Sequence, residues 1–380
     1  MKRRTFLASC ATLAGTLALP GRGFAAGPTN LYTDSDSNVL DFWNNVVIPA
    51  FGEAQPDAEL RMTDAGDSAG LRAIAERAMA AMRTKTDPQA DLFEAFDPNL
   101  PAGGRDAGLW VDFTKAGLSN YAKLNPAAIQ SPFGLPYRGS QVVLAFDTAK
   151  LPQNEAPRTW NDLASWIKAH PGQFIYNRPD KGGSGLNFVR RAIYQANGSD
   201  PAAFTVDNYS TERAARTLPG AWDILKDLAP SLYEKGAYTS GNTQSIQLLA
   251  QGVVTMVPTW SDQVLQAIAQ GVLPDTTGIV QLQDLALPGG FSYVTVFANG
   301  ANRDVALKLA DFLLTEKMQS QIISEIGGFP AVAWDNVDPA LREKYEAVIP
   351  KSIPTFPTGD WEKAINDAWY REVAPGVQRG

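Results

Sequence analysis

The chain has 380 residues but only one cysteine, Cys10, and one histidine, His170. A single cysteine excludes an intrachain disulfide, an iron–sulfur cluster and any cysteine-rich zinc site. A single histidine leaves little for His-based metal or acid–base chemistry. Basic residues are also in the minority: 33 Lys and Arg face 40 Asp and Glu, a formal net charge of −7. A nucleic-acid binder would show a basic face, so that class is set aside. No repeat, low-complexity tract or membrane-spanning apolar run interrupts the chain. What remains is ample length for two domains of about 150 residues each, or for one large one.

The N-terminus has the three parts of an export signal. Lys2-Arg3-Arg4-Thr5-Phe6-Leu7 is a charged start, Ala8 to Leu19 is apolar and small, and Gly23-Phe24-Ala25-Ala26 offers a small-x-small cleavage site. Arg3-Arg4 followed by Phe6-Leu7 resembles the twin-arginine motif. Cys10 sits at the start of the apolar stretch, whereas a lipobox cysteine would follow it. Residues 1–26 are therefore read as a removed signal, which takes Cys10, Lys2, Arg3, Arg4 and Arg22 with it and leaves a more acidic, periplasmic chain.

Strand and helix signals alternate from there. Asn30 to Thr33, Ala58 to Met62 and Asp91 to Phe96 read as strands, separated by helices over Val39 to Ala54 (interrupted near Pro49) and Ala69 to Arg83. The second half repeats the pattern. It has strands at Val142 to Phe146, Phe174 to Tyr176, Val253 to Pro258 and Phe291 to Phe297. Helices follow at Thr159 to Ala169, Leu186 to Asn197, Ala221 to Tyr233 and Thr243 to Gln251, with one long helix over Val305 to Ile323. Short connections between such units imply mostly parallel sheets flanked by helices.

Four segments, in order, carry a resemblance to a known family. Gly134-Leu135-Pro136-Tyr137 with Val142 to Asp147 resembles the strand that crosses between lobes in extracellular solute-binding proteins of ABC importers. Leu151-Pro152 and Pro157-Arg158-Thr159-Trp160 resemble, with one substitution, the helix start that follows it. Gln251 to Met256 with Trp260 is similar to the family's glycine, apolar strand and tryptophan segment. Pro288-Gly289-Gly290, Phe291 to Phe297, Asn302 to Glu316 and Gly327-Gly328-Phe329-Pro330 resemble its strand, helix and glycine–proline exit.

The resemblance implies a two-lobed α/β periplasmic-binding-protein fold with hinge crossings. Lobe I would hold 27–139 and 276–333, and lobe II 140–275 and 334–380. It also implies a small-molecule ligand, a partner permease with its ATPase in the inner membrane, no nucleic acid, no cofactor or metal, no catalytic residue, and a monomer. Ligand contacts in such folds come from loops at the carboxyl ends of strands. That rule nominates Thr33, Asp34 and Ser35; Asp64 and Asp67; Phe96 and Asp97; Tyr137 and Arg138; Ser184 and Gly185; Trp260 and Ser261; and Phe291, Ser292 and Tyr293.

Each nominee has a plainer reading as core aromatic or helix cap. Sharper motifs fail. Asp34-x-Asp36-x-Asn38 starts like a calcium loop but has Val39 and Asn45 where Gly and Glu are due. Gly182 to Leu186 is neither a nucleophile elbow nor a phosphate loop. His170 reads as a helix end. Asp34, Asp67 and Asp97 with Tyr32, Tyr137, Trp260 and Tyr293 suit a cationic organic solute. Sugars or polyols come next, and then an anion held by the Ser184–Gly185 helix start with Arg138. An exported hydrolase using Asp34 and Asp97 as an acid–base pair, and a receptor that signals by docking another protein, are the alternatives.

Overall fold

A computed structural model describes residues 27–345 and 353–378. The signal reading, including Cys10 and Arg3-Arg4, lies outside the described residues. The first lobe begins with β1 (Thr29–Thr33), α1 (Ser37–Phe42), a π-turn (Trp43–Val47) and α2 (Ile48–Ala54). Pro49 does not interrupt this helical run: it follows a π-turn, whose wider winding moves the carbonyl that a proline ring would strike. Then come β2 (Leu60–Asp64), α3 (Ser68–Thr84) and β3 (Leu92–Glu94). The long strand β4 (Leu135–Phe146) leads out of this lobe.

The second lobe holds α4 (Trp160–Ala169), α5 (Gly183–Ala196), α6 (Thr211–Thr217), α7 (Pro219–Leu228) and α8 (Asn242–Ala250). It continues with β5 (Met256–Trp260), α9 (Ser261–Ala269) and β6 (Gly278–Val280). The chain returns through β7 (Gly289–Val296) to α10 (Arg303–Leu313), α11 (Glu316–Ile326), β8 (Phe329–Pro330) and α12 (Pro339–Tyr345). It ends on α13 (Asp360–Glu372).

Thr159 caps α4 in a capping box with Asp162. The expected single helix from Val305 is two. Thr315 starts a new one by accepting from the Met318 amide and donating to the Phe312 carbonyl at 2.7 Å. Phe174 to Tyr176 is buried but forms only an isolated bridge, Phe174 to Met256, rather than a strand.

Parallel pairing joins β1 to β2 and β1 to β3. Every pair that includes β4 or β7 is antiparallel, so the sheets are mixed where mostly parallel pairing was expected. The reason is the crossing itself: β4 leaves the first lobe and β7 returns to it, so the two run side by side in opposite directions.

β4 is long enough, at 12 residues, for its two ends to serve both cores. Leu135 and Tyr137 pack with Leu31, Trp43, Val294 and Met318 in the first lobe. Val142, Leu144 and Phe146 pack with Trp160, Phe188, Trp222 and Trp369 in the second. Val280 and Leu287 belong to the second cluster, so the return crossing falls at β7 rather than at 276. Val337 is still in the first cluster and Phe356 in the second, so the last passage lies between them rather than at 334.

Candidate functional site

β1 and β3 are parallel neighbours, so their carboxyl ends open on the same side of the sheet. Glu94, the last residue of β3, is fully buried. Its Oε2 accepts from Thr33 Oγ1 and from Ser35 Oγ, each at 2.5 Å, and its Oε1 accepts from Tyr137 Oη at 2.7 Å. Trp43 Nε1 and Arg138 Nε both donate to that phenol oxygen, at 3.2 and 2.9 Å. Trp43 is the first residue of the π-turn and is buried.

The second lobe meets this network through α9. Arg138 Nη1 donates to Asp262 Oδ2 at 2.9 Å, and Ser140 Oγ donates to Asp262 Oδ1 at 2.6 Å. Ser261 Oγ accepts from the Gln141 amide at 3.3 Å. Burial opposes the Arg138 charge, but Tyr137, Asp262 and Glu94 together hold its proton more firmly than usual. Burial pushes the Tyr137 phenol up, so it remains a donor to Glu94.

Above this layer, Asp36 of the first lobe accepts from Asn242 Nδ2 of the second at 2.7 Å. Asn242 Oδ1 accepts from Ser184 Oγ at 2.7 Å and from the Ser184 amide at 3.2 Å, while Asn177 Oδ1 accepts from the Gly185 amide at 2.8 Å. Trp260 lies against the start of α5: a Cβ on Gly183 would sit 2.5 Å from its Cζ2. Gly183 is glycine because the indole occupies the space of a side chain.

The structure links Thr33, Ser35, Tyr137 and Arg138 through Glu94 and Asp262 to Ser261, with Asp34 beside Glu94 and Trp260 against the start of α5, but in different roles. Tyr137 and Arg138 are buried; the Tyr137 hydroxyl donates to Glu94, and Arg138 donates to Tyr137 through Nε and to Asp262 through Nη1, with Nη2 3.9 Å from Glu94. Ser184 and Gly185 are buried too, and Asn242 and Asn177 already answer their amides, which leaves no anion cradle of the expected kind. Asp67 caps α3 through the Gly70 amide, and Asp64 accepts from the Gly66 amide; both are exposed. Phe96 is packed among Phe93, Trp110 and Phe297. Asp97 accepts from Thr358 at 3.0 Å, and the carboxylates that act on Asp34 are Glu94, Asp67 and Asp64, so Asp34 and Asp97 form no pair. Phe291, Ser292 and Tyr293 are half-buried on β7, with the Tyr293 hydroxyl donating to the Ala128 carbonyl at 3.1 Å.

Charge in the crevice is unbalanced. Asp36, Glu94 and Asp262 share the field of one guanidinium, that of Arg138, whereas the charges acting on Asp34 are the carboxylates Glu94, Asp67 and Asp64. Burial, then the nearby Glu94, push the Asp34 carboxyl up to about 7. Burial also raises Asp36, partly offset by the Asn242 bond. Among the described residues neither Asp34 nor Asp36 has an ion-pair partner.

The sequence profile of bacterial extracellular solute-binding proteins matches residues 47–347. The chain belongs to this family. It is a solute-binding receptor of the ABC-transporter type, it works in the periplasm, and the family's members are binding proteins rather than enzymes. Among curated relatives, the spermidine/putrescine-binding periplasmic protein of Escherichia coli is 24% identical over 280 residues, covering 71% of this chain and 69% of that protein. The receptor also shares its fold with solved structures at low identity. A protein described as the Atu4243 GABA receptor superposes with a TM-score of 0.67 at 15% identity, over 93% of this chain and 99% of that one. Iron-bound HitA from Pseudomonas aeruginosa gives 0.63 at 18%, over 92% and 99%.

Four members of the receptor's crevice escaped the sequence reading: Asp36, Glu94, Asn242 and Asp262. Glu94 had a signal, an acid inside the apolar run Leu92-Phe93-Glu94-Ala95-Phe96. Asp262 directly follows the nominated Trp260 and Ser261. Asp36 reads in the sequence only as part of a calcium-like loop start. Asn242 had none, because its role depends on residues 206 positions away.

Proposed function

We propose that this receptor captures a small organic cation between its lobes and delivers it to an ABC permease and its ATPase in the inner membrane. The supporting observation is Asp34: a largely desolvated carboxylate beside Glu94, without a countercharge of its own. An ammonium group arriving there replaces lost water with an opposite charge. Asp36 offers a second carboxylate, and half-buried Trp260 an aromatic face for cation–π contact. The spermidine/putrescine-binding relatives favour the same class. Capture is by hinge motion about β4 and β7, the strands that cross between the lobes, and a permease reads the closed form. The protein acts as a monomer and changes no bond in its solute.

Isothermal titration across polyamines, thiamine, amino acids, sugars and sugar phosphates tests this. A cationic amine binds, and Asp34→Asn weakens it. Binding of a neutral sugar or an anion that Asp34→Asn leaves unchanged overturns the reading.

A further inference from the structure

Asn242 stands at the first position of α8 and is 3% exposed. Both ends of its amide are engaged. The oxygen accepts from the Ser184 hydroxyl and amide on its own lobe, and the NH2 group donates to Asp36 on the other. Because only an oxygen can answer the Ser184 amide, the NH2 end has to face Asp36. Asp36 in turn precedes α1, outside the two strands that cross between the lobes. A rotation about those strands changes the Asp36–Asn242 separation, whereas Arg138 and Ser140 ride on β4 itself.

We propose that Asn242 is a positioning residue that aims Asp36 into the crevice and bonds it only when the lobes come together, so that the Asp36–Asn242 pair is a polar latch favouring closure. The proposal rests on reading the crevice as the ligand site. A closed-state bond across a cleft raises the population of the closed form before any solute arrives, and a binding-competent arrangement that is more populated binds more tightly. Charge assistance from the Asp36 carboxylate makes the bond stronger than one between neutral groups. Nothing in Asn242's own segment requires an amide there, since a hydroxyl or a carboxylate would also cap α5.

Small-angle X-ray scattering at pH 8 on full-length mature protein, dialysed free of solute, tests the latch. Asn242→Asp keeps an oxygen for Ser184 but sets a carboxylate against Asp36; the radius of gyration shifts upward. Adding Asp36→Asn to that variant restores an amide-to-carboxylate bond with the roles exchanged, and the radius returns to the parent value. Asp36→Ala, which leaves α5 untouched, opens the protein as well and covers the case in which Asn242→Asp does not fold. An unchanged radius in folded Asn242→Asp or Asp36→Ala, or an opening that Asp36→Asn fails to reverse, overturns the proposal. No solute is present, so these outcomes are independent of which ligand binds.

Discussion

Arg138 Nη1 donates to Asp262 Oδ2 at 2.9 Å, which ties the strand leaving one lobe to the first turn of a helix in the other. Both side chains are almost wholly buried, at 7% and 4% exposure. The pair works because each partner has further polar company: Tyr137 Oη accepts from Arg138, and Ser140 Oγ donates to Asp262. Satisfying the remaining donors and acceptors is what makes a buried ion pair tolerable. An arginine that the sequence offered for ligand recognition thus serves the junction between the lobes.

Arg138→Met strands the Asp262 and Glu94 carboxylates without their shared cation. Removing one partner of a buried pair costs about 3–5 kcal/mol. Urea unfolding of Arg138→Met shows a loss in that range. Asp262→Asn with Arg138→Met loses less than the two single changes added together, because the uncompensated charge is gone. Equal costs at Arg138 and at an exposed arginine such as Arg61 would contradict the buried network.

Asp34 sets a pH dependence with two opposite arms. Its folded value of about 7 lies above the ordinary 3.8, so the folded chain holds the proton more tightly than the unfolded one between those values. The ligand-free protein therefore loses stability as pH rises from about 4 to 7. Affinity for a cation runs the other way, rising through the same window as the carboxylate ionises. Melting temperatures and titrations between pH 5 and 8 show both arms, and Asp34→Asn flattens both. An affinity that does not change across this window in the parent protein rules out a direct contact with Asp34.

Trp260 and Gly183 are predicted to fail together. Gly183→Ala places a methyl 2.5 Å from Trp260 Cζ2, so the indole has to swing away. A cation–π contact contributes about 0.5–2 kcal/mol, so Trp260→Ala weakens a cation by roughly two- to thirtyfold. Gly183→Ala shows a comparable loss with no change of charge, and Trp260→Phe retains part of the affinity. A tighter complex in Gly183→Ala would remove Trp260 from the site.

Much of the local structure was legible because it follows from neighbours in the chain. Thr159 at the head of an apolar-periodic stretch marks a helix start, and the unbroken apolar run Val142 to Phe146 marks a strand, which the structure buries on both faces. Thr315 also acts locally, but its weak cap was masked by an apolar pattern that runs on past it. The nominees at strand ends were chosen by a rule about position. That rule found Thr33, Asp34, Ser35 and Trp260 in the crevice, yet could not tell them from Asp67, a cap, or Phe96, a core ring.

By itself, the sequence determined the paucity of sulfur and imidazole, the acidic balance, the alternation of elements and, through four ordered segments, the family. Each of these depends on composition or on spacing within a few turns of chain. Tertiary structure alone decided which charges remain available to a solute. Arg138 is engaged because Glu94 and Asp262 reach it from other elements and Tyr137 from its own strand, while Asp34 has no ion-pair partner among the described residues and is pushed up by burial and Glu94. Electrostatic pairing acts through space over a few ångströms, so residues 124 apart in sequence can cancel a charge that no local pattern reveals.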